Sequence, residues 1–204
     1  MVGNAIRRLV DIAVALIVLV LGSPVLIAIA LAVRIRLGAP VLFRQRRLGL
    51  GGRPFELIKF RTMRDPAPGR EGPEFDAERL PRLGQLLRGA SLDELPSMIN
   101  LLRGDIALVG PRPLPEQYWS RYRGAEYERF RVKPGFTGLA QISGRNSVDW
   151  DERLAFDVQY VRARSLRGDL SILLKTIPVV LGRSGVNHGE GVTMHALAED
   201  RPPA

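Results

Sequence analysis

The 204-residue sequence predicts a mainly helical α+β fold, in which an apolar N-terminal membrane helix broken at a Ser-Pro pair joins a compact core through a short β-hairpin and amphipathic helices. Three observations predict it. Residues 13–33 are an uncharged apolar run. Two short stretches rich in strand formers flank a glycine-rich turn. Further along, Leu154, Val158 and Val161 recur at helical spacing.

Composition narrows the function. Hydrophobic residues make up 46% of the chain, enough for a core and one membrane segment. A net charge of +9 favours phosphates or anionic lipids as partners, although arginine-rich coding bias explains part of it: only Lys59, Lys133 and Lys175 of the 30 basic residues are lysines. The absence of cysteine removes thiol and disulfide chemistry. His188 and His195, the only histidines, both lie in the polar tail, which argues against a histidine base or a zinc site.

The apolar run at 13–33 is long enough to cross a bilayer, which takes about 20 residues. It is too long for a cleavable signal peptide. Ser23-Pro24 falls in its middle, and proline there kinks a helix. Arg7 and Arg8 precede the run and Arg34 and Arg36 follow it, so charge gives no orientation. The residues alone fit either a kinked span or a re-entrant helix that returns to the side it entered from. Residues 41–46 and 55–60 read as two strands joined through Gly49, Gly51 and Gly52. On the second strand Lys59 and Arg61 share one face. The turn's basic setting (Arg44, Arg46, Arg47, Arg53) lacks P-loop spacing. Residues 65–78 read as an exposed Pro/Gly-rich loop and 80–88 as a short helix. Residues 121–131 mix Tyr122, Tyr127 and Phe130 with arginines. Nucleic acid would suit that mixture, but beside an apolar anchor an interfacial helix suits it better. Two helices follow, at 151–164 and 169–181, the second interrupted by Pro178.

The chemistry gathers in residues 91–113, SLDELPSMINLLRGDIALVGPRP. Ser91 and Glu94 match a capping box, but Pro96 fits better if Asp93 caps the helix. Asp93 and Glu94 then stand at a helix start, where the dipole keeps Asp93 ionised. In Gly110-Pro111-Arg112-Pro113 the prolines fix the backbone around Arg112, which suits a bidentate grip on phosphate. Asp149-Trp150-Asp151 resembles a metal-binding D-x-D, but its place before a helix favours capping.

KFRTM (59–63), LDELPSMINLLRGDIALVGPRP (92–113), KPGFTGLAQISGRN (133–146) and FDVQYV (156–161) resemble the bacterial sugar transferase family, the monotopic polyprenyl-phosphate phosphoglycosyl transferases. The likeness runs from the broken apolar helix to about residue 186 and matches the small, single-domain members. Ser97, at a place expected to hold glutamine, and Pro178 depart from the pattern. The resemblance implies a re-entrant membrane helix at 1–36, kinked at Ser23 and Pro24, a cytosolic catalytic domain at 37–186 and a polar tail at 187–204. It implies an enzyme on the cytosolic face of the bacterial inner membrane whose partners are a UDP-sugar, polyprenyl phosphate and membrane lipids, with no nucleic acid. Asp93 would attack the β-phosphate of the donor, releasing UMP, and Glu94 would assist transfer to the lipid. Lys59, Arg61, Pro111, Arg112, Arg145 and Asp157 would bind the donor, with Asp157 orienting one of the cations Lys59, Arg112 or Arg145. Mg²⁺ would be held partly by Asp93. A magnesium-dependent diphosphate hydrolase and a non-catalytic anionic-lipid scaffold remain as alternatives.

Overall fold

A computed structural model describes residues 2–70, 72–143, 149–181 and 197–198. In chain order its elements are α1 (Val2–Leu21), α2 (Ser23–Leu37), β1 (Leu42–Leu48), β2 (Pro54–Phe60), α3 (Asp76–Arg79), α4 (Arg82–Gly89), α5 (Met98–Arg103), β3 (Ala107–Val109), β4 (Gly135–Thr137), α6 (Leu139–Ile142), α7 (Trp150–Arg162) and α8 (Leu166–Leu181).

The apolar run folds as two helices, α1 and α2, bent by 63° at Gly22. Pro24 occupies the first turn of α2, where a missing N–H costs nothing. The Val20 carbonyl, which Pro24 cannot serve, accepts instead from the Ser23 hydroxyl at 2.8 Å. Among the described residues no single helix is long and apolar enough to cross a membrane, whereas the bent pair together is, by length and composition.

Both helices have an exposed outer apolar face and an inner face in the core. Leu9, Leu16, Ile17 and Val20 on α1, and Val25, Ile27, Leu31 and Ile35 on α2, are exposed. Ala15 of α1 is buried with Met98, Leu101 and Ile106, while Ile29 and Val33 of α2 pack with Phe60 and Leu87. Polar ties reinforce this seating. Arg8 donates to the carbonyls of Leu101 and Leu102 at 2.6 and 2.5 Å, near the C-terminus of α5 where carbonyls lack helical partners. Buried Asp11 accepts from the Leu108 N–H on β3 at 2.9 Å, and Arg7 donates to Asp169 on α8 at 2.5 Å.

β1 and β2 pair antiparallel, from Leu42 opposite Phe60 to Leu48 opposite Pro54. Gly51 and Gly52, with φ of 64° and 74°, supply the left-handed turn. Fully buried Asn100 fastens β2 to α5. Its Oδ1 accepts from the Ile58 N–H at 3.0 Å, and its Nδ2 donates to the Glu56 carbonyl and to Asp105 at 2.7 and 2.9 Å.

β3 and β4 form a parallel pair, Ala107 opposite Gly135 and Val109 opposite Thr137, which the sequence did not announce. It explains the glycines of both flanking motifs: a Cβ on Gly135 would lie 2.1 Å from the Gly110 nitrogen, and one on Gly138 2.1 Å from the Gly110 oxygen. Residues 121–131 differ from expectation too. The chain there forms 3-10 helix over Glu116–Arg121 and Gly124–Arg131, not one amphipathic α-helix. Tyr122 and Phe130 are buried edge to face with ring centroids 5.0 Å apart, so these aromatics pack on each other instead of sharing one outward row. Asp149 caps α7, accepting from the Glu152 N–H at 2.8 Å, as the preference for capping over D-x-D required. Leu154 and Val158 of α7 are buried, and α8 continues through Pro178 to Leu181. Of the expected tail at 187–204, all but residues 197–198 lies outside the described residues.

Candidate active site

The acid pair sits on a 3-10 helix, Leu92–Ser97, which leads into α5. This corrects the expected cap. Ser91 is left-handed, with φ 56°, and makes no side-chain cap bond; Asp93 lies inside the 3-10 turn, and α5 begins only at Met98. Pro96 is tolerated because a tight turn asks less of its backbone N–H than an α-helix interior would. Ser97, at the position that departs from the family pattern, is buried and donates to the Glu94 carbonyl at 2.6 Å, so it stabilises the same turn.

β2 and the segment after β3 bring two cations to this turn. Lys59 Nζ lies 2.6 Å from Glu94 Oε1, and Arg112 Nη2 lies 2.8 Å from the same oxygen. Burial pushes the Glu94 carboxyl up, but Arg112 and Lys59 outweigh it and hold it well below the usual carboxylate range. Glu94 is therefore ionised at neutral pH. Asp93 goes the other way. It is buried, and burial together with the negative Glu94 beside it pushes its carboxyl up to about 6, against the pull of Lys59, Arg88 and Arg112. The expectation that a helix dipole keeps Asp93 strongly ionised is replaced by a carboxylate poised near neutrality. Such separation of two neighbouring carboxyls is typical of groups with different roles in one site.

Arg88, at the end of α4, was read from the sequence only as a helix residue. It faces Asp93 and donates to Thr62 Oγ1 at 3.0 Å. No local pattern distinguishes it from other helix-end arginines; only the packing of α4 on the acid turn does. Arg47 was likewise read only as part of a basic turn. It lines a cavity with Lys59, Glu94 and Arg112, where Leu57 and Phe136 supply apolar wall.

Other expected site residues lie around this centre. Pro111 precedes Arg112 and its carbonyl accepts from the Gly135 N–H at 2.8 Å, tying the arginine segment to the start of β4. Arg61 is buried and turned away from the acid pair, donating to the carbonyls of Leu37, the last residue of α2, and of Ala39 just beyond it. Asp157 is 2% exposed, and among the described residues its side chain pairs with neither Lys59 nor Arg112. Its partner is Arg129, whose Nε and Nη2 lie 3.1 and 2.8 Å from Asp157 Oδ2. Arg129 in turn donates to the Arg112 carbonyl at 2.7 Å and to the Tyr122 hydroxyl at 2.8 Å. Asp157 thus acts on Arg112 at one remove, through its backbone. Arg145 lies outside the described residues.

Mg²⁺ is commonly held by one or two carboxylates plus substrate phosphates, the remaining positions being water. Among the described residues no three acidic or histidine side chains cluster as a metal site. Asp93, with Glu94 already engaged by two cations, fits the ion only in a site shared with a bound diphosphate.

A buried carboxylate of raised pKa facing several cations is an arrangement capable of phosphoryl transfer. The profile of the bacterial sugar transferase family matches residues 2–183. The chain is 42% identical over 188 residues to the uncharacterized sugar transferase EpsL of Bacillus subtilis, covering 92% of this chain and 93% of that protein. It is 42% identical over 186 residues to a UDP-glucose:undecaprenyl-phosphate glucose-1-phosphate transferase of Caulobacter vibrioides, covering 86% of this chain and 69% of the relative. An undecaprenyl-phosphate galactose phosphotransferase of Salmonella typhimurium is 38% identical over 197 residues, which span 88% of this chain and 41% of the larger relative. The chain belongs to the bacterial sugar transferase family.

Proposed function

We propose that this chain is a polyprenyl-phosphate phosphoglycosyl transferase that moves a sugar-1-phosphate from a UDP-sugar to polyprenyl phosphate and releases UMP. The observation that carries this is the buried Asp93 beside a Glu94 clamped by Lys59 and Arg112. The relatives named above support the donor and acceptor classes. An Asp93 carboxylate oxygen attacks the β-phosphorus, and the bond to the bridging oxygen breaks. UMP leaves with that electron pair. The phosphosugar remains on Asp93 as an acyl phosphate. A phosphate oxygen of the lipid then attacks the same phosphorus, and the carboxylate of Asp93 is released.

Each surrounding residue has work in these two steps. Arg112, with its backbone held by Arg129 and by the flanking prolines, offers a fixed planar donor to phosphate oxygens. Lys59 and Arg88 add positive charge where charge develops. Glu94, ionised throughout, can accept or position the acceptor's proton in the second step once phosphate competes for Lys59 and Arg112. Mg²⁺, held by Asp93 together with the donor's phosphates, would supply charge neutralisation of the diphosphate. The bent pair α1–α2 would lie re-entrant in the cytosolic leaflet of the inner membrane, keeping this site at the lipid surface.

The test is an adduct formed before any lipid is present. Enzyme, Mg²⁺ and a UDP-sugar radiolabelled in the sugar should give labelled protein, and UMP in a burst no larger than the enzyme concentration. A panel of UDP-sugars identifies the donor. Asp93→Asn, nearly isosteric, should abolish both signals while leaving folding intact. Continuous UMP release without lipid would establish a hydrolase, and no release with any donor a scaffold. Efficient transfer with no adduct under rapid quenching, retained in Asp93→Asn, would overturn the covalent route.

A further inference from the structure

The hairpin register places one more cation in the pocket. Antiparallel partners point to the same side of a sheet, and side chains alternate along each strand. Arg47 is opposite Phe55, Gln45 is opposite Leu57, and Phe43 is opposite Lys59. Arg47, Gln45, Leu57 and Lys59 therefore share one face, the face that lines the cavity beside Glu94 and Arg112.

The guanidinium of Arg47 is fixed there by neutral acceptors. Nη1 donates to the Pro113 carbonyl at 3.1 Å and Nη2 to Gln45 Oε1 at 2.5 Å. Its Nε is buried and has no hydrogen-bond partner. Glu94 pairs with Lys59 and Arg112, and among the described residues no carboxylate pairs with Arg47. Burial and the neighbouring Arg112 push the guanidinium down to about 10, and the negative Glu94 across the cavity offsets this only in part. A half-buried cation, held by two neutral acceptors and with a buried donor unpartnered, suits an anion.

We infer that Arg47 is a phosphate-binding residue, and that the group it holds is the nucleoside-side phosphate of the donor, the one that departs. The inference rests on the transferase reading. The cavity is lined by Glu94 and not by Asp93; in the inferred pose the diphosphate sets its β-phosphorus against Asp93 and its α-phosphate in the cavity, among the cations. Arg47 and Arg112 stand on the wall there, and the Arg47 contact to the Pro113 carbonyl keeps the two arginines at a fixed spacing. Arg47 thereby serves binding of donor and UMP, not the chemistry at Asp93 or recognition of the lipid.

The experiment uses the full chain in lipid nanodiscs with Mg²⁺ and reads UMP binding by calorimetry alongside kinetics with the fastest UDP-sugar. Arg47→Gln should weaken UMP binding and raise the donor KM by about tenfold, with kcat changed by less than about threefold. The KM for polyprenyl phosphate should not move. Arg47→Lys, which keeps charge but not the fork, should fall between the two. UMP affinity within about twofold of wild type in Arg47→Gln, or a loss confined to kcat, overturns the inference even while wild type transfers phosphosugar. If Arg47→Gln does not fold, the lysine variant decides: unchanged UMP affinity refutes the role. A wild type that neither binds UMP nor transfers phosphosugar removes the transferase reading itself, and this inference with it.

Discussion

Asp157 offers a decisive test of how the site is built. The sequence motif places it among donor-binding residues, whereas the structure buries it against Arg129, with side-chain exposures of 3% for Asp157 and 2% for Arg129. Asp157→Asn removes the charge and keeps the shape. Arg129 is then left as a buried, uncompensated cation, a change that costs about 3–5 kcal/mol when one partner of a buried pair is lost. For a chain of this size each kcal/mol shifts Tm by roughly 2–4 °C, so the midpoint should fall by about 6–20 °C. Because Arg129 also holds the Arg112 carbonyl, the donor KM should rise as well. Replacing both residues, Asp157→Leu with Arg129→Leu, removes the stranded charge and should restore most of the stability. It should not restore the rate, since the Arg112 backbone stays unheld. Thermal unfolding in detergent and UMP-release kinetics on the single and double variants give the full cycle. A wild-type Tm for Asp157→Asn combined with lost donor binding would refute the reasoning and return Asp157 to direct contact with substrate.

Three further outcomes are expected. Arg112→Lys should lose at least about tenfold in rate, or about 1.4 kcal/mol, because an ammonium lacks the planar fork; near wild-type turnover would reduce Arg112 to a turn residue. The donor kcat/KM should fall as pH drops through about 6, since Asp93 must shed its proton to attack; Glu94→Gln removes the like charge and should move that limb to lower pH, as should raised Mg²⁺. A limb that ignores both changes belongs to another group. For topology, single cysteines at Ala5 and Arg36, both exposed, should be labelled only from the cytosolic side, and labelling of position 5 from outside would establish a span.

Legibility in the sequence followed physical range. The helix pair and the hairpin were readable because an uncharged run, a Ser-Pro break and three glycines are local signals. Lys59, Glu94 and Arg112 were readable as candidates from motif and proline context, and the fold brings all three within ion-pair distance. Arg88, Arg47 and Arg129 were not. Each sits among many other arginines, and only tertiary packing separates a buried functional guanidinium from a solvated one. Asn100 carried a faint signal, as an amide inside the apolar stretch MINLL, and its three hydrogen bonds explain it. β3 and β4 are three residues each, too short for any periodicity to show. The poise of Asp93 was misjudged for a related reason: whether a proline-bearing segment folds as α or 3-10 helix decides where the helix end lies, and here that end falls after the acids.

The seating of α1 has a consequence for handling. Ala15, Asp11 and Arg8 make this helix a wall of the same core that carries the acid turn. The helix pair is packed into the core and not appended to it, so removing residues 1–36 would strip α5 and β3 of their cover. It also makes the helix a ruler. With the outer face of α1 and α2 in lipid, as proposed, the height of Asp93 above that level would be set by packing and not by a tether. Changes in bilayer thickness would then be felt as displacement of the whole catalytic body.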